Sequence, residues 1–137
     1  MPILIHLLYF CQEVYIAKAI NKKQKPNLYQ PEMSNYIIIY ITTSSVTEAK
    51  KIGRVLVEEK LAACSNIISP IRSIYSWQGK ICDDKEALMI LKTKKKLFKQ
   101  IVARVEKLHS YDVPEIIAMP IIEGSDKYLS WLNEETK

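Results

Sequence analysis

The chain has 137 residues, 48% of them apolar and 26% charged, with a net charge of +5. That length and balance fit a globular domain with its own core, and exclude a disordered chain, a collagen and a disulfide miniprotein. The excess charge is small and not gathered into a basic face, so nucleic acid is not expected as a partner.

Residues 1–34 differ from the remainder. Ile3 to Cys11 is an apolar run broken by His6, too short to span a bilayer, and no positive charge precedes it as a secretory signal requires. A lysine-rich stretch follows, Asn21 to Lys25, with Pro26 and Pro31 behind it. This segment reads as an N-terminal extension, or as sequence upstream of a natural start at Met33, ahead of a domain over 35–137.

From residue 35 the pattern sharpens. Tyr36 to Ile41 is β-branched and aromatic, which predicts a strand. Ser45-Val46-Thr47-Glu48 fits a capping box opening a helix with Ala49, Ile52, Leu56 and Leu61 on its apolar face. Cys64 is read as the end of that helix. A second strand runs through Asn66-Ile67-Ile68 and, after Pro70, Ile71 to Trp77. Gln78-Gly79-Lys80 turns the chain, and Glu86 to Lys92 returns as a third strand. Thr93 is expected to cap a second helix bearing Phe98, Ile101, Val102, Val105 and Leu108. Glu115 to Ile122 makes a fourth strand, and Asp126 to Asn133 a short terminal helix.

The order βαββαβ is that of an α+β, ferredoxin-like sandwich with a short C-terminal helix. Proline removes a ladder donor and is confined to edges and bulges. Pro70 and Pro120 therefore place the second and fourth strands outside, giving an antiparallel sheet of order 4-1-3-2. The first and third strands are apolar on both faces, although the helices cover only one. Self-association is the expected cover for the other.

Residues 35–137 resemble the CutA family of divalent-cation tolerance proteins. The matching segments are Glu58 to Cys64, Ser73 to Lys80, Met89 to Thr93, His109 to Ile116 and Tyr128 to Leu132. The resemblance implies a homotrimer of PII-like build, tied to tolerance of copper and other divalent metals, with no accepted enzymatic reaction. A cytoplasmic protein is expected, with no membrane span.

Three groups of residues are singled out for chemistry. His109, Glu115 and Cys64 offer nitrogen, oxygen and sulfur donors for Cu²⁺, with Zn²⁺ as the alternative. The other reading of His109 is a cation at a helix end, and of Cys64 a small buried hydrophobe. Lys92, Lys94 and Tyr111 suggest a second function, a PII-like sensor binding a small anion between subunits. Tyr75, Trp77, Tyr128 and Trp131 read as interface anchors. An RNA-binding module would need stacking aromatics on the third strand, which instead reads Ala-Leu-Met-Ile-Leu. No HExxH, paired-carboxylate motif or nucleophile elbow points to an enzyme.

Overall fold

The computed structural model describes residues 34–137; the extension, Cys11 and any start at Met33 lie outside the described residues. The elements run β1 (Tyr36–Thr43), α1 (Val46–Glu58), β2 (Cys64–Trp77), β3 (Lys80–Lys94), a 3₁₀ turn (Lys95–Leu97), α2 (Phe98–Glu106), β4 (Ile116–Pro120) and α3 (Asp126–Glu135). The sheet order is β2-β3-β1-β4, all antiparallel. This is the expected order, with the proline-bearing strands at the edges. Pro70 falls where the β2–β3 register shifts between Ile68 and Ile71, so the missing donor sits at an irregularity.

The core lies between one sheet face and the helices α1 and α2. Period-two alternation sends Ile37, Ile39 and Ile41 of β1 and Ala87, Met89 and Leu91 of β3 inward. They meet Ala49, Ile52 and Leu56 of α1 and Ile101 and Val105 of α2. The Ser45 hydroxyl accepts from the Glu48 amide at 3.2 Å, as a capping box requires. The reciprocal bond is displaced by one residue, because the Glu48 carboxylate accepts from the amide of Ser44.

Two local expectations are corrected. Thr93 caps no helix: it is buried inside β3, where its hydroxyl donates to the Leu61 carbonyl. The chain enters α2 through the 3₁₀ turn, with no side-chain cap. Cys64 does not end a helix. The first helix stops at Glu58, Lys60 reverses the chain at φ 57°, and Cys64 opens β2.

Helix α1 packs close on β2 at Gly53. A Cβ there would lie 2.7 Å from Ser65 Oγ, a buried hydroxyl with no partner. Gly53→Ala is therefore expected to lower stability by about 1–2 kcal/mol, although alanine favours a helix by about 1 kcal/mol. Adding Ser65→Gly should cancel most of that loss. Additive effects in urea melts of the two single variants and the double variant would contradict the contact.

The other sheet face is only partly covered. Helix α3 lies over one end of it: Tyr128 Oη meets Cys64 Sγ at 3.7 Å, Lys94 Nζ donates to the Thr136 carbonyl at 2.9 Å, and Leu132 is fully buried. The remainder presents Tyr40, Leu88 and Ile90, half-buried, with Ile68, Ile117 and Met119 exposed. The β2–β3 hairpin also outruns its neighbours. Strand β1 pairs with β3 only from Ala87 to Lys94, so Lys80 to Glu86 pair with β2 alone. The ribbon closes through Gln78 and Gly79, at φ 49° and 77°, the two positive values of a type I′ turn. Ile74 and Ile81 stand on it at 70% and 76% exposure.

Candidate functional site

A cavity opens where the ribbon leaves the sheet, on the less-covered face. Its volume is about 540 Å³. Tyr75 and Trp77 come from the outgoing strand and Glu86 from the return. The loop after α2 supplies Tyr111, Asp112 and Glu115, while Thr42 and Ser73 contribute hydroxyls. Among the described residues no lysine, arginine or histidine lines it.

Phenols and carboxylates pair around this cavity. Tyr111 Oη donates to Glu86 Oε1 at 2.8 Å, and Tyr75 Oη donates to Asp84 Oδ2 at 2.8 Å. Burial, then the bond to Glu86, pushes the Tyr111 phenol above its ordinary range. The bond to Asp84 pushes Tyr75 up to about 12. Both phenols therefore stay protonated donors at neutral pH.

The loop carrying Tyr111 is fixed by His109 and Glu48. The His109 side chain is fully enclosed. Its Nδ1 accepts from the Tyr111 amide at 3.0 Å, and its Nε2 lies 2.8 Å from the Thr42 carbonyl. A carbonyl only accepts, so the proton sits on Nε2 and both ring nitrogens are used. Glu48 accepts from the Ser44 hydroxyl at 2.7 Å, the Ser110 amide at 2.6 Å and the Ser110 hydroxyl at 3.1 Å. Burial alone would raise the Glu48 pKa. The bonds from Ser44 and Ser110 outweigh it and hold this carboxyl below the usual range.

This geometry revises the residues singled out from sequence. His109 has no lone pair left for a metal; it positions a loop. Cys64 lies toward the opposite end of the sheet, since it pairs with Lys92 and thence Ile38, whereas His109 bonds to Thr42, four residues or about 13 Å along β1. His109, Glu115 and Cys64 are thus not brought together. Among the described residues no three histidine, cysteine, aspartate or glutamate side chains gather closely enough to hold a metal ion. The anion cleft is not assembled either. Lys92 donates to the Asn66 amide oxygen and Lys94 to the C-terminal carbonyls, both far from Tyr111 along the strands. The four aromatics form two separate groups, Tyr75 with Trp77 at the cavity and Tyr128 against Trp131 on α3 at 5.3 Å. All four are exposed, between 38% and 47%. The contacts of Glu86 and Glu48 with this loop escaped the sequence reading, because their partners Tyr111 and Ser110 lie 25 and 62 residues away.

The model of the CutA1 divalent ion tolerance protein family matches residues 37–135. The chain belongs to this family. Its sequence is 48% identical over 99 residues to the divalent-cation tolerance protein CutA of Thermus thermophilus, covering 72% of this chain and 96% of that one. It is 46% identical over 101 residues to the chloroplastic protein CutA of Arabidopsis thaliana, covering 74% of this chain. The chain spans a little over half, 56%, of that relative's length. Among solved structures, the Thermus thermophilus Cut A1 protein superimposes with a TM-score of 0.73 at 46% identity, over 74% of this chain and 99% of that one. Oryza sativa CutA1 gives 0.74 at 41% identity, over 77% and 96%. The CutA1 family match therefore spans the whole sandwich, including the long hairpin and the loop that together build the acidic cavity. No helix of the described residues is long and apolar enough to cross a membrane.

Proposed function

We propose that this CutA chain is a non-enzymatic, cytoplasmic homotrimer that binds divalent cations as cargo, Cu²⁺ ahead of Zn²⁺. The observation that carries the reading is the cavity walled by Glu86, Asp112 and Glu115, with no base among the described residues of its lining. Carboxylates attract cations, and the general affinity order of divalent metals puts Cu²⁺ above Zn²⁺ at oxygen and nitrogen donors. The donors among the described residues of one chain do not suit a closed metal centre. The cargo site is therefore open, with a neighbouring copy supplying further ligands across the hairpin. The names of the relatives, divalent-cation tolerance proteins, support the same class of cargo.

The trimer rests on the overhanging ribbon and the apolar sheet face. A two-stranded hairpin is at best marginally stable in water, and Ile74 and Ile81 would stay bare on an isolated chain. Light scattering at micromolar concentration should return three times the 15.9 kDa chain mass.

Calorimetric titration of the full chain with Cu²⁺ and then Zn²⁺ tests the cargo. Cu²⁺ is expected to bind more tightly, and Glu115→Gln to weaken it by about tenfold, the loss of one charged ligand at about 1.4 kcal/mol per decade. Equal affinity for the two metals, or a Cu²⁺ isotherm unchanged by Glu115→Gln, would overturn the assignment.

A further inference from the structure

We infer that the acidic cavity also binds a linear aliphatic diamine, with an ammonium at each end against separate carboxylates and its methylenes on the aromatic rings. The inference uses the same cavity as the cargo reading but does not depend on the metal. Three features of the cavity favour an organic dication over a bare ion. The first is size. At about 540 Å³ the space is drug-sized, whereas one water takes about 30 Å³ of liquid. The second is the spread of the charges. Glu86, Asp112 and Glu115 all line the cavity, yet no three acidic, histidine or cysteine groups of the described residues converge on one point. A single ion therefore satisfies them poorly within one chain, while a dication with separated charges meets two at once. The third is the rings. Tyr75, Trp77 and Tyr111 line the same space, and aromatic faces attract ammonium groups and pack against methylenes.

The protonation pattern agrees. The Tyr111 and Tyr75 hydroxyls are committed as donors to Glu86 and Asp84, so they direct no free proton at a positive guest. Glu86 is only 6% exposed, so its charge is little screened by water and gains more from an ammonium than a surface carboxylate would. Among the described residues of one chain, no lysine or arginine of the lining competes for these oxygens. An anionic metabolite would meet three like charges here and is disfavoured on the same count.

The test is calorimetry of the metal-free full-length protein with 1,4-diaminobutane, and with n-butylamine at matched ionic strength. The diamine should bind at least about tenfold more tightly, because its second ammonium adds a charge-assisted bond. Glu86→Gln should remove that advantage while keeping the acceptor for Tyr111. Asp112→Asn, on an exposed loop, removes a charge without touching a packed side chain and should weaken the diamine more than the monoamine. Equal affinity for the two amines, no heat with either at millimolar concentration, or unchanged binding in both variants would overturn the inference. A Cu²⁺ titration of the same preparation separates the two readings: metal binding without diamine binding overturns only this one, and diamine binding without metal binding overturns only the metal cargo.

Discussion

Ile117→Asp should leave the protein as a 15.9 kDa monomer in light scattering, with its fold intact. Ile117 sits on edge strand β4 opposite Tyr40, on the sheet face that α3 leaves bare, and is 52% exposed. An aspartate there is solvated in the isolated chain and costs the fold little. In an assembly that buries this face, the same carboxylate is desolvated without a partner. An unpaired buried charge costs about 3–5 kcal/mol, and a homotrimer would carry one in each subunit. Val57→Asp serves as the control. Val57 is also exposed, but on α1, in the layer on the opposite side of the sheet, so its substitution should leave the mass unchanged. An Ile117→Asp protein that still returns the triple mass would show that the bare face is not the interface.

The fold was legible from sequence because its signals are local. Prolines mark the edge strands, alternating isoleucines mark β1, and Ser45 with Glu48 marks the start of α1. The misreadings occur where a distant contact decides. Thr93 precedes a lysine run and looks like a cap, but its hydroxyl is claimed by the Leu61 carbonyl, 32 residues away. Lys60 turns the chain at positive φ without the glycine that would announce it, so Cys64 looked helical when it begins a strand. The candidate site was legible in part. Tyr111 and Glu115, both singled out from the sequence, line the cavity. Spacing does not report which lone pairs are already taken. His109 donates Nε2–H to the Thr42 carbonyl, 67 residues distant, which leaves only the Nδ1 lone pair, and that accepts from the Tyr111 amide.

Glu48→Gln is expected to lower stability by roughly 2–3 kcal/mol at pH 7, the scale for hydrogen bonds to a charged group. The Glu48 side chain is 12% exposed and surrounded by donors: the amides of Ser44 and Ser110 and both of their hydroxyls. A carboxylate offers two acceptor oxygens to these donors; a glutamine offers one and turns an N–H toward the rest. The pH dependence has a definite sign. The folded pKa of Glu48 lies below its ordinary value of 4.5, so its charge stabilises the fold fully above that value. This contribution is lost as pH falls through the folded pKa, where the wild-type side chain also becomes neutral. The gap between wild type and Glu48→Gln in urea melts should therefore be constant from pH 7 to about pH 5 and narrow below about pH 4. The part that disappears reflects the pKa shift, and the part that persists reflects the misfit of the amide. Hydrogen exchange at the Ser110 amide should quicken in the variant, because that N–H loses its 2.6 Å acceptor. A gap that stays constant to pH 3, or a Ser110 amide as protected as in wild type, would show that Glu48 does not hold the loop. With the loop go Tyr111, Asp112 and Glu115, so cation binding in the cavity should weaken in the same variant even though Glu48 is not among the residues that line it.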